Sequence, residues 1–248
     1  MKKLASAALA LLASLSLAAS DTNRLVFRVQ LGTDTGAATP FPFKHLPTFN
    51  AYPHLNLSLG GMAGTTINRS WGAFAGLVYK TVSMDADARV KNQKFQDGTH
   101  VQYFTGSAHA RQRFILLELP LYAVYRFANE HDYLLCGIYH AWTMHGLFRV
   151  EPREGFVGDL PDTFAAVVNG DMQEMRFDEA LDTRDVGLTV GYERRLLPRV
   201  HLGLRLSWGF KDIFKKDNSY FDYSMIHLRG SVVLAYDLAR CLPRAGKR

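Results

Sequence analysis

The sequence predicts an all-β chain: an eight-stranded antiparallel up-and-down transmembrane β-barrel with short periplasmic turns and long extracellular loops. Three observations predict it. Segments of about ten residues alternate apolar and polar positions, the signature each strand of such a barrel leaves. The connections between them are long and short in turn. Aromatic residues gather where the segments end.

The plainest case is the stretch from Asp185 to Phe210. Val186, Leu188, Val190 and Tyr192 alternate with Asp185, Gly187, Thr189, Gly191 and Glu193. After Leu197, Pro198 and Arg199 the pattern resumes, with Val200, Leu202, Leu204, Leu206, Trp208 and Phe210 set against His201, Gly203, Arg205, Ser207 and Gly209. Side chains on a strand point alternately to its two faces, so each half of this stretch carries one apolar and one polar face. The two halves form a hairpin.

The chain opens with Lys2 and Lys3, an Ala/Leu-rich run from Leu4 to Ala19, and small residues Ala18 and Ser20 before Asp21. This reads as a cleaved secretory signal over residues 1–20, with the barrel over 21–238 and a basic tail over 239–248. No apolar run of about eighteen residues follows, so a membrane passage after export has to be made by a closed barrel. Removing Lys2 and Lys3 takes the formal charge from +6 to +4, and the tail alone carries Arg240, Arg244, Lys247 and Arg248. The barrel proper is near neutral and lacks the basic stripe that nucleic acid requires. Cys136 and Cys241 have no local feature that would bring them together as a disulfide.

The first strand places Leu25, Phe27, Val29 and Leu31 on one face and Val26, Arg28, Gln30 and Gly32 on the other. Thr33 to Pro53, with four prolines, reads as a loop. The second strand runs from His54 to Thr65, and Ile67 to Ser70 is a short turn. Trp71, Ala73, Ala75, Leu77 and Tyr79 mark the third strand. Beyond Val82 the chain is polar up to Arg111, but Asp97-Gly98 is a favoured two-residue hairpin turn, which predicts a protruding hairpin with its tip there. The fourth strand, Arg113 to Phe127, sets Ile115, Leu117, Leu119, Leu121, Ala123, Tyr125 and Phe127 against Glu118, Pro120 and Arg126. The fifth, Asp132 to Arg149, is expected to turn Leu134, Cys136, Ile138, Trp142, Met144 and Phe148 outward. Val150 to Arg184 reads as a long connection with nine carboxylates and a helical turn near Asp162 to Val168, and no strand is expected in it. The opening hairpin supplies strands six and seven. The eighth sets Ile226, Leu228, Val232, Leu234, Tyr236 and Leu238 against His227, Arg229, Ser231 and Asp237.

A barrel of eight strands is just wide enough for side chains to fill its interior. Arg28, Glu118, Arg126, Glu193, Arg205, Arg229 and Asp237 are therefore expected to form a polar network inside the lumen, since unpaired charge there is costly. Trp71, Tyr125, Phe127, Tyr133, Trp208, Phe210 and Tyr236 are expected at the lipid interface, where amphipathic rings settle. A soluble lipocalin-like carrier shares the strand number and the export signal, but it does not account for those rings.

The segments LELPLYAVYRF, YLLCGIYHAW, DVGLTVGYER, HLGLRLSWGFKDIF and VVLAYDL resemble the PorT-like outer-membrane β-barrel family. The resemblance runs from the first strand to the last and consists of strand patterns, with no catalytic motif. It implies the fold, the bacterial outer membrane as location, and a place near secretion machinery. The chain departs from the family in continuing ten residues past its last strand.

No catalytic residue, cofactor or metal site is assigned. His100, His109, His140 and His145 have no serine or acid at a diagnostic spacing, which leaves a lipid-modifying barrel enzyme as the alternative. The acidic stretch 150–184 lacks the spacing of a known calcium loop. The partners expected are outer-membrane lipid and a protein at the extracellular loops, with no nucleic acid.

Overall fold

The computed structural model describes residues 25–42, 49–97, 100–169, 174–216 and 223–238. The expectations for a leader over 1–20 and a tail over 239–248 concern residues outside that set. Among the described residues twelve strands form: β1 (Leu25–Thr35), β2 (Ala38–Phe41), β3 (Phe49–Pro53), β4 (Asn56–Thr66), β5 (Trp71–Asp97), β6 (His100–Arg126), β7 (Asp132–Gly158), β8 (Ala166–Asn169), β9 (Met175–Arg176), β10 (Arg184–Leu197), β11 (Val200–Gly209) and β12 (Ser224–Leu238).

Eight of these make the wall, hydrogen-bonded in the order β1-β4-β5-β6-β7-β10-β11-β12, and β12 pairs back onto β1. All of these pairings are antiparallel, and the closing seam runs from Phe27 opposite Leu238 to Thr35 opposite Gly230. The wall is thus a closed up-and-down barrel that leaves no free edge. Alternation decides which row faces inward. In β10, Asp185, Gly187, Thr189 and Glu193 are inside while Val186, Leu188, Val190 and Tyr192 lie on the outer surface. In β11, Leu202, Leu204 and Leu206 are 40%, 57% and 49% exposed, so the apolar row faces outward, the reverse of a soluble ligand-carrying barrel.

The wall is not even in height. β5, β6 and β7 have 27 residues each, whereas β10, β11 and β12 have 14, 10 and 15. Crossing a membrane takes about 9–11 residues of tilted strand. The long strands therefore continue well past the barrel as a ladder that reaches Asp97 opposite His100; the expected tip at Gly98 lies outside the described residues. β3 pairs along one side of this extension, against Met84 to Ala88, and β8 and β9 along the other, against β7. Phe104, Ala108, Val157 and Val168 form a small apolar core that gives the extension an interior of its own.

Two expectations for this part of the chain are corrected. The 150–184 connection contains β8, β9 and the end of β7; Ala166 to Asn169 is strand, and the helical turn is a 3-10 turn at Asp178–Ala180. Phe148 faces inward and is buried. The reason is local: Ile115 pairs with His145 but Leu116 pairs with Thr143, so Met144 is an extra residue that bulges β7. A one-residue insertion exchanges the two faces of everything beyond it. Met144 and His145 are consequently both exposed, and Phe148 turns into the barrel.

Candidate functional site

From the loop end to the short-turn end, the interior changes character in three layers. The loop end is closed by apolar packing. Phe177 and Leu181, before β10, and Ile213 and Phe214, after β11, fold over the opening onto Phe114, Leu116 and Phe148 of the wall. Phe148 meets Phe214 edge-on at 5.3 Å and Phe177 at 5.9 Å, and Leu181 bridges to Phe214 through the backbone. Both segments are mostly polar in sequence, and their few large apolar residues are the ones that turn inward.

The middle layer is ionic. Glu118 and Arg229 are wholly buried and joined at 2.9 Å. Lys80 lies 3.2 Å from Glu118 and 3.4 Å from Asp34, which also accepts a hydrogen bond from Ser231. The Arg229 guanidinium lies over the Tyr139 ring at 5.0 Å, and the Tyr139 hydroxyl donates to Asp185 at 2.8 Å. Gly187 makes this packing possible, because a Cβ there would come 2.5 Å from Tyr139 Cε1.

The third layer lies toward the short turns. Arg28 reaches Glu193 at 2.5 Å and Asp237 at 2.7 Å, joining β1 to β10 and β12. His201 sits between the same two carboxylates, with Nδ1 3.2 Å from Glu193 and Nε2 3.1 Å from Asp237. Arg205 donates to Gln30 at 3.0 Å and lies over the Tyr122 ring at 5.3 Å. Charges in such a narrow space are held by pairing, and the two Arg28 pairs tie strands far apart in sequence.

Of the seven residues expected in the lumen network, Arg28, Glu118, Glu193, Arg205, Arg229 and Asp237 occupy these two ionic layers. Arg126 does not. It belongs to the inward row of β6 but sits at the mouth, where Nε and Nη2 both donate to the Arg69 carbonyl oxygen. Lys80, Asp34, Asp185 and His201 complete the layers without having been singled out. Their inward phase was readable, but which inward residues meet depends on register between distant strands.

The expected interface aromatics divide in a similar way. Trp71, Phe127, Trp208, Phe210 and Tyr236 are exposed on the outer surface. Tyr125 joins them, edge-on to Trp71 at 5.1 Å and to Phe127 at 5.3 Å. Tyr133 is corrected: it shares its face with buried Leu135, since Leu134 takes the outward position, and its ring lies 5.6 Å from His201 inside the mouth.

Below the third layer the mouth opens as a cavity of about 130 Å³. Arg28, Glu193, His201 and Asp237 form its floor, and Arg69, Arg126 and Arg195 stand among its walls. Among the histidines weighed as candidate bases, His109 pairs with Asp87 at 2.6 Å on the extension, and His140 packs edge-on against Trp142 at 4.4 Å. His145 is exposed, and the His100 side chain lies outside the described set. The Asp87 carboxyl, held above all by its hydrogen bond to His109 and further by Tyr52 and Arg153 against the opposing effect of burial, titrates below the ordinary aspartate range. Among the described residues no group of three or more His, Cys, Asp or Glu side chains is arranged to hold a metal ion.

No family model and no curated protein matches the chain. Among solved structures it is similar to Ail, the attachment invasion locus protein of Yersinia pestis, in complex with the heparin analogue sucrose octasulfate. That likeness has 10% identity and a TM-score of 0.40, over 87% of this chain and 99% of that one. It is also similar to the Neisserial surface protein A, with 14% identity and a TM-score of 0.36 over 84% and 96% of the two chains. The outer membrane protein OprG from Pseudomonas aeruginosa is similar at 10% identity and a TM-score of 0.33, over 87% and 95%. At such TM-scores these likenesses carry no weight of their own: the eight-stranded barrel stands on the register of its own strands, and its apolar exterior is that of a transmembrane barrel.

Proposed function

We propose that the protein is a bacterial outer-membrane barrel without enzymatic activity, which serves as a surface binding or assembly component. The observation that carries this reading is the contrast between a sealed interior and an extended exterior. The lumen is filled by two ionic layers and an apolar cap, which suits a scaffold and not a diffusion pore. The long strands β5, β6 and β7 lift an ordered sheet beyond the wall, and such elements on a rigid scaffold are where binding residues are usually placed. The strand-pattern resemblance to PorT-like barrels supports the same location and a link to secretion machinery.

The test is to replace residues 86–108 by a two-residue turn and to crosslink intact cells. The reading expects a barrel that still folds, seen as heat-modifiable migration, and that loses its crosslinked partner. Retention of the partner by the shortened barrel overturns it. The lipid-modifying alternative is tested by mass spectrometry of lipids incubated with the wild type and with His145→Ala.

A further inference from the structure

The geometry points to a binding site for a small anion, a phosphate or carboxylate group, in the cavity at the short-turn mouth. We propose this on three grounds. The first is charge. Four arginines line the cavity against one glutamate and one aspartate, and both carboxylates are already committed. Glu193 is engaged by Arg28 at 2.5 Å and His201 at 3.2 Å, and Asp237 by Arg28 at 2.7 Å and His201 at 3.1 Å. Arg69, Arg126 and Arg195 form no ion pair among the described residues.

The second ground is organisation. The Arg126 guanidinium is fixed by two hydrogen bonds to a neutral acceptor, the Arg69 carbonyl, so its direction is set while its charge stays uncompensated. Asn68 Oδ1 accepts from the backbone N–H groups of Ser70 and Trp71, which holds the turn that presents Arg69. The backbone N–H of Arg195 is tied to the His131 carbonyl at 2.7 Å. Arg28, Arg126, Arg195 and Tyr133 all line this one cavity. Three turns distant in sequence thus deliver cations to one cavity, where low-dielectric walls strengthen their pull on an anion. Guanidinium groups match phosphate and carboxylate oxygens through paired N–H donors.

The third ground is shape. About 130 Å³ holds a few waters or one anion of phosphate size, given a share of roughly 30 Å³ for each water. The ion-paired floor closes the way upward, so the cavity retains an anion and does not conduct it. This site depends on barrel closure and is independent of the role proposed for the extension.

The experiment is calorimetric titration of the full barrel, in zwitterionic detergent, with inorganic phosphate and separately with citrate. The expected result is single-site binding that weakens at least tenfold in the double variant Arg126→Gln/Arg195→Gln. Binding should be unchanged in Arg113→Gln, which removes from the outer surface of β6 an arginine that forms no ion pair among the described residues. Heat-modifiable migration verifies that each variant is folded. The same titration in nanodiscs separates two sources: unchanged affinity with anionic phospholipid present assigns the site to a soluble anion, and competition assigns it to a lipid headgroup. Absence of binding by the folded wild type, or equal weakening in Arg113→Gln, overturns the site.

Discussion

Replacing Glu118 by leucine isolates what the middle ionic layer contributes. Glu118 is 0% exposed and is the carboxylate partner of Arg229, at 2.9 Å. Arg229 Nε and Nη1 already have no hydrogen-bond partner, so Glu118→Leu leaves a fully buried guanidinium without the carboxylate that pairs with it directly and without a satisfied set of donors. Lys80 is less affected because it keeps Asp34 at 3.4 Å. Orphaning one buried charge costs about 3–5 kcal/mol, roughly a hundred- to few-thousandfold in the unfolding equilibrium constant. Removing both charges, in Glu118→Leu/Arg229→Met, exchanges the pair for apolar groups of similar size and should return stability to within about 1 kcal/mol of the wild type or above it. The assay is urea unfolding of the barrel in liposomes, followed by tryptophan fluorescence and by the folded band on unheated gels. A Glu118→Leu barrel within about 1 kcal/mol of the wild type would mean that water, not the carboxylate, solvates Arg229. A double variant whose loss equals the sum of the single losses would mean that the pair is not coupled.

Leu204→Arg, at an outward position 57% exposed, should cost about 2–4 kcal/mol if that surface meets the middle of a lipid bilayer; a neutral effect in the same liposome assay identifies a water-facing wall. Phe214→Ala removes the ring at the centre of the apolar cap, a change of about 3–5 kcal/mol in a packed site, and hydrogen exchange should quicken over 174–183 and 210–216. The ionic layers beneath should keep the barrel non-conducting in planar bilayers, and a current through Phe214→Ala would show that the cap alone closes the lumen. Asp87, held low by its hydrogen bonds, contributes stability to the extension above the ordinary aspartate range, near 3.9, and that contribution is lost as pH falls through its folded value. Its carboxyl resonance should titrate below the ordinary value in the wild type and move up in His109→Gln; identical midpoints would remove the pair from the account.

Much of the wall was legible because period-two alternation is a local property of the chain. Val186 to Tyr192 and Leu202 to Trp208 declare their faces without any knowledge of neighbours. Legibility failed where position depends on a partner strand. Phe148 is reversed by a single bulged residue, Met144, whose presence shows only in the register against β6. The upper halves of β5 and β6 were legible only through the Asp97-Gly98 turn signal, because the sheet there is small and two-sided, with alanines and short polar residues in place of a lipid-facing row. Phe177, Leu181, Ile213 and Phe214 were isolated apolar residues within polar stretches, and only closure of the barrel gives them a common target. The mouth cavity was the least readable, since Arg69, Arg126 and Arg195 come from three separate turns.

The salt bridge between Arg28 and Asp237 spans 209 positions of the chain and crosses the seam where the first wall strand meets the last. Until β1 pairs with β12 the sheet has two open edges, and the pairing of these two strands closes the ring. Arg28 meets its two carboxylates only at that moment, so it acts as a late latch that registers ring closure. Charge at this seam therefore bears on the order of events as well as on the strength of the finished barrel: weakening the latch should show first as slow sealing, with partly assembled sheets that persist before they commit.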